Sequence, residues 1–193
     1  MPRPSLKEQR RKEILDAYVA CVANYGLEGA TQERIAAEAG VARPLLRHNL
    51  GNQGAMKAAL VAHVADAFDA LTVALGDAAD DLDMLIDIVF DAKNRTDPQL
   101  ALAFQALITA SAVHPETRQP LLDCLERYVA LITTYIKSTF PSCSKRDSNA
   151  IAHAIASISM SCDALEPLRP PPSWRAAAKR SAIQLVSTAG GKQ

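Results

Sequence analysis

Residues 40–53 read GVARPLLRHNLGNQ, and the folding of this stretch decides how the rest of the chain is organised. As a loop it would only join two longer helices. As a helix it turns Leu46 and Leu50 to one side and Arg43, Arg47, His48 and Asn49 to the other. Pro44 favours the helix. The residue before a proline is pushed away from helical angles, and proline at a first helical position forfeits no hydrogen bond. Arg43 is therefore expected to be the N-cap, with Pro44 as the first residue of a short helix ending near Leu50.

Upstream, Thr31 is a good N-cap with Glu33 in the first turn, and the segment through Ile35-Ala-Ala-Glu-Ala39 stops at Gly40. Two short helices separated by "AGVA" match a helix-turn-helix, in which the second helix enters the major groove. Ile35, Ala36, Ala39, Val41, Leu46 and Leu50 are spaced to pack the pair against a first helix. That helix is expected to start at Ser5, where Ser5 and Glu8 form a capping box, with apolar positions Ile14, Tyr18, Cys21, Val22 and Tyr25. Gly26 supplies its left-handed stop, and Leu27 folds back on the last turn.

Downstream, Asn52 caps a long helix striped by Met56, Leu60, His63, Val64, Ala67, Phe68, Leu71 and Leu75, with Gly76 as its end. Five more helices are expected, near 79–94, 97–113, 116–139, 145–166 and 173–188. The second of these opens on Asp97-Pro98 and is apolar nearly all round, which predicts a helix buried in the middle of the body. "EPLRPPPSW" reads as a stiff proline turn and "AGGKQ" as a frayed tail. Nine helices and no strand give an all-α class, with a helix-turn-helix domain at 1–52, extending into the start of the fourth helix, and a helical body at 53–193.

Residues 10–60 resemble the N-terminal domain of tetracycline-repressor (TetR-like) regulators. The likeness rests on Ile14-Leu15, Ala17, Gly26, Ala30-Thr31, Ile35-Ala36 and Ala39-Gly40-Val41, and nine helices in this order extend it along the chain. It implies a homodimeric transcription factor, usually a repressor released from a pseudo-palindromic DNA operator by a small-molecule effector. After Gly40-Val41 the family usually has Ser, a Gly two residues later, Leu-Tyr-x-His-Phe and Ser-Lys-Glu. Here those places hold Ala42, Pro44, Leu46-Arg-His-Asn-Leu50 and Asn52-Gln-Gly54. The tyrosine and lysine that often hold phosphates are thus Arg47 and Gln53. Arg47 can make a stronger, charged contact, whereas Gln53 keeps only hydrogen bonding.

Candidate DNA contacts are accordingly Arg43, Arg47, His48, Asn49 and Gln53, joined by Thr31 and the Gln32 amide at a helix N-terminus. His48 and Asn49 are equally suited to satisfying the backbone at their helix end. His63 on an apolar stripe, Gln105 and Thr109 one turn apart, Phe104 and Tyr128 are the candidate pocket groups for an effector. Each has a structural alternative, a satisfied core histidine or a hydroxyl bonded to backbone. A dimer interface is expected from the last two long helices: Ala150, Ala154, Ile158 and Ser161 on one, Trp174, Ala178 and Ile183 on the other. The alternative is that these close the chain's own core.

Net charge is zero over 193 residues, but residues 1–57 hold nine Lys/Arg, including Arg3, against six acids. Nine aspartates lie between Asp66 and Asp97. A basic head on an acidic body suits a protein whose head meets a polyanion. No run of about 18 uncharged apolar residues suggests a membrane span, and "MPRPSLKEQRRKEIL" lacks the apolar core of a signal peptide, so a cytoplasmic location is expected. Cys21, Cys124, Cys143 and Cys162 lack metal or disulfide spacing and read as reduced thiols, with Cys143 the most exposed. His48, His63, His114 and His153 are scattered, and no nucleophile motif or metal cluster is visible. No catalysis, cofactor or metal is expected. A ligand-binding protein whose head no longer reads DNA is the alternative, favoured by Gln53 and Gly54; an enzyme on a helical scaffold is more remote.

Overall fold

The computed structural model describes residues 5–94 and 96–191. Arg3 and the end of the tail, Lys192 and Gln193, lie outside them. Among the described residues there are nine α-helices and no strand: α1 Leu6–Gly29, α2 Gln32–Glu38, α3 Arg43–Leu50, α4 Gln53–Ala78, α5 Leu82–Phe90, α6 Pro98–Ala110, α7 Arg118–Thr139, α8 Lys145–Ala164 and α9 Pro172–Ser187.

The chain divides into two compact units, Met1–Ala67 with Asp97–Leu122, and Phe68–Thr96 with Asp123–Gln193. This differs from a division at residue 52. The first half of α4 and the whole of α6 belong with the N-terminal helices, because α6 lies along α1. In this first unit Ile14, Val22, Ile35, Leu46, Met56, Leu60, Val64 and Leu107 are almost fully removed from water. Burying such a side chain is worth roughly 1.5–3 kcal/mol, so these residues dominate the stability of the head.

Caps explain most of the helix starts. The Ser5 hydroxyl accepts from the Glu8 N–H while the Glu8 carboxylate accepts from the Ser5 N–H. Asp97 accepts from the amides of Gln99 and Leu100, and Ser144 from that of Asp147. Gly26 has φ of 71° and kinks α1, which resumes for one short turn to Gly29. Leu27 is buried as expected, but Tyr25 is 54 % exposed. Its ring is covered instead by the Arg34 guanidinium, 4.4 Å from the ring centre.

Four expectations need correction. α4 passes through Gly76 to Ala78. A Cβ at Gly76 would sit 3.1 Å from Leu131 Cδ1, so this glycine admits α7 and does not stop the helix. The Tyr135 hydroxyl takes over the carbonyls of Gly76 and Ala79, at 3.0 and 2.6 Å. α5 is shorter than 79–94 because Asp81 caps its start and the chain leaves the helix at Asp91. α6 is not buried all round: Ala103, Phe104 and Leu107 are, whereas Ile108 is 41 % exposed. Cys143 is buried, because the Lys137 ammonium gathers the carbonyls of Pro141 and Cys143 and turns the thiol inward.

The second unit has its own core, in which Leu82, Leu85, Ile86, Phe90, Ile132, Ile136, Ile155 and Ala182 meet. Arg175, at the start of α9, is nearly buried and pairs with Asp163 at 2.7 Å and Glu166 at 3.2 Å, fixing the proline turn. α4 is long and apolar enough to cross a membrane by length and composition, with a mean hydropathy of 1.6. Asp66 and Asp69 interrupt it, so it does not stand out in the sequence as an uncharged run. Its two ends serve the two cores, Met56, Leu60 and Val64 in one and Leu75 in the other.

Candidate nucleic-acid interface

Helices α2 and α3 form the expected helix-turn-helix. Thr31 Oγ1 accepts from the Arg34 N–H, and α2 ends at Ala39, where Gly40 takes φ of 63° and starts the turn. Contrary to expectation, the N-cap of α3 is Ala42, whose carbonyl already accepts from Leu45 at 2.9 Å. Arg43 is the first helical residue and Pro44 the second. The pre-proline bias yields here, and proline is as harmless at the second position, since the first four amides have no intrahelical partner. Gly51, with φ of 85° and ψ of −150°, ends α3, and Asn52 Oδ1 caps α4 through the Ala55 N–H.

Leu46 and Leu50 are buried and hold α3 against α1 and α2. Arg11 of α1 donates to the Asn49 carbonyl, a second fastening between α1 and α3. Arg43, Pro44, Leu45, Arg47 and His48 are left exposed. Leu45, 38 % exposed, has no distinguishing mark in the sequence, because Leu45 and Leu46 look alike until the helix phase is known.

The candidate contacts fall into four groups. Among the described residues, Arg47, His48 and Gln53 make no side-chain hydrogen bond or ion pair within the chain. Arg43 is exposed but tied, its Nη1 lying 2.7 Å from Glu33 Oε1 on α2. Asn49 is half-buried and bonded within its own helix, its amide donating to the Leu45 carbonyl at 2.8 Å. Thr31 is occupied as a cap, and Gln32 beside it is half-buried. Two of the basic residues of the first turns are also engaged, Arg10 with Glu13 and Lys12 with Asp16.

The candidate pocket groups do not gather in one unit. His63 is fastened through Nε2 to Asp16 Oδ1 at 2.9 Å. Burial raises the Asp16 carboxyl, but hydrogen bonds and charge from Lys12 and His63 together hold it below its ordinary value of 3.8. Phe104 is buried and Gln105 half-buried in the first unit, while Thr109 is exposed with its hydroxyl on the Gln105 carbonyl at 3.1 Å. Tyr128 belongs to the second unit. Its hydroxyl meets Ser159 Oγ at 3.0 Å, and burial pushes it up to about 12. A cavity of about 470 Å³ opens elsewhere in that unit, between Ser142–Ser144, Ala150 and Thr188–Gly191.

In the sequence His114 reads only as a helix boundary. In the fold its Nε2 faces Glu28 and its Nδ1 lies 3.0 Å from Lys57 Nζ, so it joins the end of α1 to the start of α4. The pairing spans 86 residues and has no local sequence signal.

On α8 and α9 the candidate interface residues divide by exposure. Ala150 and Ser161 face outward, Trp174 is 57 % and Ile183 47 % exposed, and Ala154 is half-buried. Ile158 and Ala178 pack on the core of their own unit.

No protein-family model and no curated relative matches the chain. Solved structures do. A TetR-family transcriptional regulator from Cytophaga hutchinsonii aligns over 100% of both chains with TM-score 0.79 and 14% identity. A TetR transcription regulator from Haloarcula marismortui covers 93% of this chain and 97% of its own, with TM-score 0.74 and 14% identity. The multidrug binding protein EbrR, solved with imidazole, covers 95% and 96%, with TM-score 0.63 and 18% identity. The fold of the chain is therefore the all-α fold of TetR-family regulators.

Proposed function

We propose that this chain, having the TetR-family fold, is a DNA-binding transcriptional regulator, a cytoplasmic homodimeric repressor released from its operator by a small molecule. The observation that carries the reading is the outward face of α3. Arg47 and His48 stand exposed with no internal partner, on a helix whose other face is pinned by Leu46 and Leu50. A charged side chain that serves no fold contact, on the second helix of a helix-turn-helix, is placed for phosphate or base edges. Residues 1–52 would then act as the head and 53–193 as the body. Trp174, Ile183 and the small residues of α8 support pairing of two copies, which sedimentation would measure. A structural relative that binds multiple drugs supports an effector in the body.

The test is a footprint on DNA upstream of the protein's own gene, repeated across a salt series. Arg47→Ala is expected to weaken binding. It should also lower the salt slope by about 0.9 for each phosphate left without its arginine, about 2 for a dimer. Unchanged affinity and slope would remove Arg47 from the interface. The second reading, a ligand-binding protein whose head no longer reads DNA, draws on the Asn49 amide being spent on the Leu45 carbonyl and on the uncharged Gln53. It predicts no protected segment at any salt concentration.

A further inference from the structure

We propose that Glu33 is a positioning residue for DNA reading, holding the Arg43 guanidinium across the turn so that its free edge meets a guanine. The inference rests on the DNA-binding reading above. Glu33 lies in the first turn of α2 and Arg43 opens α3, and their ion pair, 2.7 Å long, is the one salt bridge between these helices among the described residues. Both side chains stay more than half exposed, so the pair lies on the surface and leaves the core alone. The single cation of α2, Arg34, is committed elsewhere, to the Gly29 carbonyl at 2.6 Å and the Tyr25 ring. The Glu33 carboxyl lies below its ordinary range, through its own backbone N–H first and Arg43 second, so it is ionised at neutral pH.

A guanidinium presents five donors in a rigid fork. With Nη1 on Glu33, the edge formed by Nε and Nη2 remains for the O6 and N7 acceptors of guanine. An untethered arginine would meet any nearby phosphate as readily, which adds affinity without sequence information. Glu33 also sets a negative charge beside the phosphates and lowers non-specific binding. It thus trades affinity for discrimination.

The experiment uses the full-length protein and the footprinted operator, with each guanine of the site replaced in turn by 7-deazaguanine, which lacks N7. Wild type should lose about 5- to 150-fold in affinity at one guanine. Arg43→Ala should abolish that loss. Glu33→Gln should shrink it several-fold, tighten binding to unrelated DNA and leave Tm within about 2 °C, because exposed pairs contribute little to stability. Glu33→Asp should restore part of the discrimination, and Glu33→Gln in the Arg43→Ala background should not change it further. If Glu33→Gln leaves the guanine discrimination intact while Arg43→Ala removes it, the positioning role is overturned and the DNA reading stands. Sharper discrimination in Glu33→Gln would overturn it too. A wild type that protects no DNA overturns both readings.

Discussion

Gly51 and Gly54, three residues apart, should respond to alanine with opposite signs. At Gly51 the backbone has φ of 85° and ψ of −150°, a conformation that is essentially glycine's alone, and an added Cβ would sit 3.1 Å from Ala55 Cβ. Conformational strain of this kind costs about 1–3 kcal/mol, and Ala55 sits on a helix and cannot swing aside. The total for Gly51→Ala is then about 2–3 kcal/mol. For a chain of this length each kcal/mol moves Tm by about 2–4 °C, so the variant should melt about 4–12 °C lower. Gly51→Asn should do no better, since asparagine tolerates the left-handed helical region and ψ of −150° lies far from it. At Gly54 the nearest atom to an added Cβ is Asn52 Oδ1 at 3.6 Å, an ordinary separation. Gly54→Ala should therefore gain about 0.4–1 kcal/mol by restricting the unfolded chain, or about 1–4 °C. Thermal unfolding followed by far-UV circular dichroism decides the matter. A Gly51→Ala variant melting within a degree of wild type, or rescue by asparagine, would refute the backbone argument.

Further outcomes follow from other interactions. Tyr135→Phe removes the hydroxyl from the Gly76 and Ala79 carbonyls and should destabilise by about 1 kcal/mol, read as a lower urea midpoint. Asp16 has a folded-state pKa below 3.8, so its stabilisation is present above that value and is lost as pH falls through the folded pKa. The stability gap between wild type and Asp16→Asn should accordingly close as pH falls below 3.8; a gap that persists well below that pH would contradict the pairing of an ionised Asp16 with Lys12 and His63. Half-buried Cys162 should react first with a thiol reagent, because Cys21, Cys124 and Cys143 are buried and burial pushes the Cys124 thiol up to about 11. Labelling of Cys143 as fast as Cys162 would contradict its inward turn.

What could be read from the sequence was the chemistry confined to a few neighbouring residues. The Ser5–Glu8 box, the Thr31 and Asp97 caps and the stop at Gly40 each depend on residues within one helical turn. Gly76 escaped because a glycine near a helix end can mark a stop or admit a neighbour, and Leu131 decides which. The apolar α6 gave no hint of sidedness, since a helix without polar residues does not announce which face meets α1. Pairings such as Glu33 with Arg43, His63 with Asp16 and His114 with Glu28 join different elements. Charge pattern alone could not tell which of these residues stayed free to act. That is why Arg43, equal to Arg47 in the sequence, differs from it in the structure, while Asn49 takes the backbone role that the sequence had left open to it.

The division of labour along α3 has an evolutionary consequence. Its place is fixed from behind by Leu46, Leu50 and the Arg11 bond to a backbone carbonyl, and at its ends by Ala42 and Gly51. None of these depends on which side chain stands at 47 or 48. Those two positions can therefore be exchanged with little effect on folding, as is usual for exposed surface sites. If α3 reads DNA as proposed, a duplicated gene could drift to a new target by one or two substitutions at 47 and 48 with little loss of stability.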